Sequence, residues 1–148
     1  MTAENDTPVH RRFEEVWNKG RAEAIDEMFA DDGIAHGLTD ASGNELCGPA
    51  DFKAFFYSFR DASPDLHVTV EDTVAEGDKL AARRMVKGTH AGDGIGLRAT
   101  NQPASSTGMC ILKIEGGEIA DAWNTFDFMT MYQQLGAIQL PSAPGDKG

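Results

Sequence analysis

The sequence is poor in cysteine and has no long apolar run. Only Cys47 and Cys110 are present, and neither belongs to a close Cys/His pattern of the kind that binds zinc. Both are predicted to be free thiols in a reducing compartment. No apolar run approaches the roughly 20 residues of a membrane helix, and the first residues lack the apolar core of a secretory signal. These absences predict a cytoplasmic protein without a metal site or a membrane partner.

Basic residues are also scarce: 13 stand against 24 acidic ones, for a formal charge of −11. This charge repels nucleic acid phosphates, so we expect no nucleic acid partner. A chain of 148 residues fits one domain and can bury roughly 70% of the surface that its unfolded form exposes. We expect that domain to span residues 1–138. The tail, residues 139–148, offers little apolar surface to bury and is expected to be disordered.

Helical spacing of apolar residues organises the first 63 residues. It predicts helices over about 8–20, 22–29 and 48–63, with Asp6 or Thr7 as the cap of the first. The third helix carries a stripe of aromatic residues, which are Phe52, Phe55, Phe56 and Phe59. Such a stripe predicts a helix laid against a large apolar surface. A short, Gly-flanked strand is expected over 33–37.

From residue 66 onward the apolar spacing alternates, which is typical of strands. Strands are predicted over about 66–74, 80–89, 108–114 and 119–126, with hairpin turns at 76–79 and 115–118. Pairing across the first turn puts two pairs of opposite charges in register, Asp72 with Arg83 and Glu71 with Arg84. A last helix is expected from Asp127 to residue 136. Because helices and strands are segregated along the chain, the fold class is α+β.

Several polar residues are candidates for chemistry, and each has a structural alternative. Asn124 lies between Ala122 and Phe126 on one face of the last strand, where it either faces a pocket or satisfies a backbone group. Asp127 is either a site carboxylate or the cap of the final helix. His36 is either a general base near neutral pH or a structural histidine. His90, beside a Gly-rich loop over 90–105, has the same two alternatives.

Three further features have structural interpretations. Cys110 lies in an apolar strand and is expected to be a buried, unreactive thiol. Asp72 shares a strand face with Val70 and Val74, so it either pairs with Arg83 or stays neutral. The Gly-rich loop lacks the spacing of a phosphate-binding loop and is expected to be a hairpin loop or a pocket rim.

Three segments together resemble a known family: EEVWNKGRAEAIDEMFADD, CGPADFKAFFYSFRDASPDLHVTVEDTVAEGDKLAARRMVKGTHAG and ILKIEGGEIADAWNTFDFMTMYQQLG. They are similar to the SnoaL-like polyketide cyclases, within the nuclear-transport-factor-2-like (cystatin-like) superfamily, from about Phe13 to Gly136. The resemblance implies a cone-shaped fold, a curved mixed or antiparallel sheet wrapped around the N-terminal helices, and commonly a homodimer. It also implies an internal apolar pocket, which we expect to be lined by Trp17, Phe52, Phe56, His90, Cys110, Ala122 and Phe126.

The resemblance further implies a reaction. In characterised members an aspartate on the last strand, assisted by a histidine on the strand before, closes a ring in a polyketide methyl ester without metal or cofactor. Ungapped matching puts Asn124 at the aspartate's position and Cys110 at the histidine's, and an amide cannot take up a proton at pH 7.

Two functions therefore remain open. One is a cofactor-independent cyclase or isomerase that uses acid/base chemistry on a small hydrophobic carbonyl compound. Its base would be His36 or Asp127, with Asn124 donating a hydrogen bond to an oxyanion. His90 is the third candidate to replace the missing base. The other is a non-catalytic small-molecule-binding or dimeric partner module. We expect His36 and Asp127 to share one cavity with Asn124 in the enzyme, and to point apart in the binding module.

Overall fold

The computed structural model describes residues 8–40 and 42–139. The predicted caps Asp6 and Thr7, and nearly all of the predicted disordered tail, lie outside these residues. The helices are α1 (Pro8–Lys19), α2 (Glu23–Met28), α3 (Gly48–Ala62) and α4 (Phe128–Gln134). The strands are β1 (Phe29–Thr39), β2 (Glu45–Cys47), β3 (His67–Glu76), β4 (Lys79–Thr89), β5 (Pro103–Glu115) and β6 (Glu118–Phe126). No helix in the described part of the chain is long and apolar enough to cross a membrane.

The six strands form one mixed sheet in the order β2-β1-β6-β5-β4-β3. β1 runs parallel to β6, and every other neighbouring pair is antiparallel. The sheet curves around the helices, so its inner face and the apolar faces of α1, α2 and α3 enclose one core. The largest fully buried side chains of that core are Phe56, Ile25, Met28, Leu46, Ile119 and Val16. The predicted α+β cone with a curved sheet around N-terminal helices is confirmed.

Helix α3 forms where the sequence predicts it because its signals are local. Cys47 is extended, Gly48 adopts a φ of +81° and Pro49 occupies the first turn, where its fixed φ suits a helix and its missing N–H costs nothing. The Asp51 carboxylate accepts the Cys47 N–H at 3.0 Å. The phenylalanine stripe faces the sheet, with Phe52 and Phe56 buried.

The first two strands differ from the prediction. β1 has eleven residues rather than the five expected, and Phe29 begins it instead of ending α2. Asp31 and Asp32 are exposed inside β1, and they interrupt the apolar alternation that would have revealed its length. The three-residue β2 was not predicted. It is an edge strand, and a segment this short carries little periodic signal.

The hairpin of β3 and β4 contains a bulge that corrects part of the predicted register. Glu76 pairs with Lys79 and Asp72 lies opposite Arg83, as predicted, but Val70 rather than Glu71 lies opposite Arg84. The extra residue turns the later part of β3 over, because a one-residue shift exchanges the two faces of a strand. Asp72 is therefore exposed, as is Val74. Arg83 forms its ion pair with Glu71, at 2.9 Å.

Candidate functional site

A cavity of about 120 Å³ lies between the inner face of the sheet and the helices. Its walls are mostly apolar and rich in aromatic rings, including Trp17, Phe29, Phe52, Phe55, Phe59, Phe126 and Phe128. Its polar lining consists of Ser63, Arg84, Lys87, His90, Ser105, Ser106 and Asn124. None of the described residues that line it is an aspartate or a glutamate. An apolar hollow with a few polar groups is the usual form of a small-molecule site.

Strand alternation decides which residues reach this cavity. On β6, Ala122, Asn124 and Phe126 point inward, while Trp123 points outward and is 41% exposed. The predicted lining residues Trp17, Phe52, His90, Ala122 and Phe126 all line the cavity. Asn124, the candidate amide of the last strand, lines it as well.

Two of the predicted lining residues lie elsewhere in the core. Phe56 is buried in the core and does not line the cavity, whereas Phe55 and Phe59 do. Cys110 is buried directly opposite Asn124 in the β5–β6 pairing. Burial raises the pKa of the Cys110 thiol, because the charged thiolate is disfavoured away from water. The group therefore stays protonated and unreactive near neutral pH.

The Asn124 amide is held in one orientation by the backbone. Its nitrogen donates to the carbonyl oxygens of His36, at 3.1 Å, and of Ala122, at 3.2 Å. Carbonyl oxygens only accept hydrogen bonds, so the amide nitrogen must face them. Both N–H groups are used in this way, and the polar atom left for a ligand is the amide oxygen, an acceptor. The predicted role of Asn124 as a donor to an oxyanion does not fit this arrangement.

His90 is held by the loop that follows β4. Its Nδ1 accepts the Thr100 N–H at 3.2 Å and lies 3.0 Å from the Thr100 hydroxyl. Since a backbone N–H only donates, Nδ1 carries no hydrogen in the neutral ring and Nε2 is the N–H. His90 is 3% exposed, and its Nε2 has no hydrogen-bond partner among the described residues. His90 therefore lines the cavity and has a buried N–H donor.

Arg84 is a lining residue that the sequence predicted to pair with Glu71 across the hairpin. It faces inward because Leu80, Ala82, Arg84 and Val86 alternate on one face of β4. Gly108 lies opposite it on β5, and a Cβ there would come within 3.4 Å of Arg84 Nη2 and 2.9 Å of the Phe126 ring. The absence of a side chain at Gly108 leaves this space to the guanidinium and the ring. The sequence signal that could have identified Arg84 as a lining residue is an arginine on an otherwise apolar strand face.

His36 lies on the opposite face of the sheet from the cavity. Its Nδ1 is 3.1 Å from a Glu45 carboxylate oxygen and its Nε2 is 3.0 Å from Asp121. The ring stacks on Trp123, with centroids 5.4 Å apart. The hydrogen bond to Asp121, with that to Glu45, raises the pKa of His36. His36 cannot serve as the base of this cavity, because its side chain lies on the outer face of β1 and does not line the cavity.

Asp127 also lies outside the cavity lining. It caps α4: its carboxylate accepts the Thr130 N–H at 3.0 Å and the Thr130 hydroxyl at 2.6 Å. These bonds favour the charged form and lower the pKa of Asp127. The side chain is exposed, so the capping alternative accounts for it. His36 and Asp127 do not come together around one hollow.

The Gly-rich segment forms the rim of the cavity and rests on α3. Ile95 lines the cavity beside His90, and the N–H groups of Ala91 and Gly92 bond the Ala62 carbonyl. A Cβ at Gly92 would lie 2.1 Å from the Asp61 carbonyl oxygen. Glycine therefore allows the loop to approach the end of the helix closely.

A comparison with known families assigns the chain. The profile of the SnoaL-like polyketide cyclase family matches residues 7–135. The chain belongs to this family. It is 27% identical over 127 residues to the aklanonic acid methyl ester cyclase of Streptomyces peucetius, covering 85% of this chain and 87% of that relative. A second cyclase of the same name, from another Streptomyces, is also 27% identical and is covered over 78% of its length.

Solved structures of similar proteins share the fold. TsrD from Streptomyces laurentii superposes with a TM-score of 0.77 at 25% identity, over 88% of this chain and 93% of that one. A Catenulispora acidiphila protein with a ketosteroid isomerase-like fold superposes with a TM-score of 0.73 at 20% identity, over 91% and 99%. Within residues 8–40 and 42–139 no group of three or more His, Cys, Asp or Glu side chains is arranged to hold a metal ion.

Proposed function

We propose that this protein binds a small hydrophobic carbonyl compound in the cavity and does not catalyse the ring closure for which its relatives are named. The observation that carries the proposal is the composition of the lining: apolar walls and hydrogen-bonding groups, with no carboxylate among the described residues. General base catalysis contributes roughly 10²–10⁴-fold to such a reaction. A site without a base loses that factor.

The positions of the candidate bases support this choice between the two functions. His36 is on the outer face of the sheet and Asp127 caps α4, so neither reaches a ligand in the cavity. The Nδ1 lone pair of His90 is occupied by Thr100. His90 thus donates from Nε2 to a carbonyl oxygen rather than accepting a proton from the ligand.

A second candidate function is a cofactor-independent cyclase or isomerase that works by polarising a carbonyl group. The buried Nε2–H of His90 favours it, since a neutral imidazole can donate to a developing oxyanion. In that case His90, and not His36, is the residue on which turnover depends. The His90→Gln variant would abolish activity, while His36→Gln would retain it.

Aklanonic acid methyl ester is the substrate named for the relatives and separates these functions. We expect no cyclisation above the uncatalysed rate when product is followed by chromatography. Asn124→Asp restores a carboxylate to the cavity and is expected to raise the rate. Cyclisation by the unchanged protein above the uncatalysed rate would contradict the proposal.

We also propose that two copies associate through the outer face of the sheet. That face exposes four large apolar side chains, Val74, Met109, Ile111 and Trp123, and contiguous exposed apolar surface marks interaction sites. Light scattering after size exclusion should give a dimer for the wild type and a monomer for Ile111→Glu. A wild-type monomer at micromolar concentration would refute this association.

A further inference from the structure

The sign of charge in the cavity is opposite to that of the molecule. The chain has 24 acidic residues against 13 basic ones, yet the described lining contains no acidic side chain and includes both an arginine and a lysine. A random sample of this sequence would give acidic lining residues more often than basic ones. The lining is therefore suited to a negatively charged ligand.

Arg84 is the cation best placed to meet such a ligand. It lies on the inner face of β4 between Ala82 and Val86, with its Nε buried, and it lines the cavity. Lys87 also lines the cavity, but it is exposed and lies on the opposite side of the β4 alternation, so it is less enclosed than Arg84. Gly108, opposite Arg84 on β5, carries no side chain that would crowd the Arg84 guanidinium.

We propose that the cavity recognises a carboxylate: its ligand is a small aromatic or alicyclic acid whose carboxylate contacts Arg84 while its ring lies among the aromatic walls. The proposal rests on the proposed binding function and names the chemical class of the ligand. A guanidinium binds a carboxylate through two parallel charge-assisted hydrogen bonds. Apolar walls strengthen this contact because they screen it less than water does.

The size of the cavity limits the ring system. Its volume is about 120 Å³, and an engineered apolar cavity of roughly 150 Å³ admits a benzene ring. A single ring thus fills the cavity, and a second fused ring of the ligand extends into its open mouth.

The test uses 2-naphthoate and methyl 2-naphthoate, which share a ring system and a carbonyl group and differ in charge. Titration calorimetry at pH 7.5 should show the acid binding roughly 10- to 100-fold more tightly than the ester, as expected for a hydrogen bond to a charged group. Arg84→Gln should remove that preference, and Arg84→Lys should keep part of it.

Arg83→Gln is the matched control. It makes the same change in net charge one residue away, on the outer face, where Arg83 pairs with Glu71. It should leave both affinities unchanged, and circular dichroism of each variant verifies folding. Equal binding of acid and ester by the wild type, or equal weakening of the acid by Arg83→Gln and Arg84→Gln, would overturn the carboxylate proposal and leave the binding function standing. Binding of neither probe would overturn both.

Discussion

The Asn124→Asp substitution tests the geometry of the last strand as well as its chemistry. In the native protein the amide nitrogen donates two hydrogen bonds to backbone carbonyls. An ionised aspartate has no donor, so it loses both bonds and puts negative oxygens beside two carbonyl oxygens. Each lost bond costs about 0.5–1.5 kcal/mol, and repulsion and desolvation add to this. We expect a loss of roughly 2–4 kcal/mol of unfolding free energy at pH 8.

The penalty should depend on pH. The same repulsion and burial raise the pKa of the new carboxyl group above its unfolded value. Protonation restores one donor, so the destabilisation is full above the folded pKa and shrinks as the pH falls through it. For a chain of this size the expected loss at pH 8 lowers the melting temperature by roughly 5–15 °C.

Thermal unfolding followed by circular dichroism at pH 8 and pH 5 measures both effects. Asn44→Asp is the control, because Asn44 is exposed in the turn between β1 and β2 and the charge change is the same. If Asn124→Asp melts with Asn44→Asp at both pH values, the backbone does not hold the Asn124 amide and our account of its orientation is wrong.

Three further predictions concern other parts of the fold. His36→Gln should lower the unfolding free energy by about 1 kcal/mol or less, and mainly at low pH. The pKa of His36 is raised in the native protein, so its stabilisation is present below the ordinary pKa near 6.5 and is lost as the pH rises through the native pKa. Denaturant unfolding at pH 5.5 and 8.5 measures this difference. Ellman's reagent should react quickly with exposed Cys47 and with buried Cys110 only on unfolding, and two fast equivalents would contradict the burial. Gly37 and Gly43 have similar positive φ angles of +84° and +85°, but only at Gly37 would a Cβ meet the Asn124 carbonyl oxygen, at 2.0 Å. Gly37→Ala should therefore lose about 1–3 kcal/mol more unfolding free energy than Gly43→Ala and melt at a lower temperature. Equal melting temperatures would contradict the close approach.

Much of the fold could be predicted because its signals are local. The Gly48-Pro49 start and the phenylalanine stripe define α3, and the Gly-containing turns define two hairpins. The bulge near Glu71 could not be predicted in this way. Register within a hairpin depends on how both strands meet the core, and one inserted residue satisfies the turn equally well.

The site was predicted less completely, for two physical reasons. Periodicity shows that His36 and Asn124 lie on strand faces, but which face is inner depends on the parallel pairing of β1 with β6, which is not local. Arg84 could have been recognised, since it shares a face with Leu80 and Val86. Its predicted register opposite Glu71 suggested a cross-strand ion pair instead, and the bulge in β3 removes that pairing.

The central claim is that the ligand lies in the hollow between sheet and helices, and a cavity-filling substitution tests it most directly. Ala122 lines the cavity with its small side chain, while its neighbour Trp123 is on the outer face. Titration calorimetry with 2-naphthoate should show binding to the wild type and to Trp123→Ala, and none to folded Ala122→Phe. Undiminished binding by Ala122→Phe, with loss of binding in Trp123→Ala, would place the ligand on the outer surface and contradict the account.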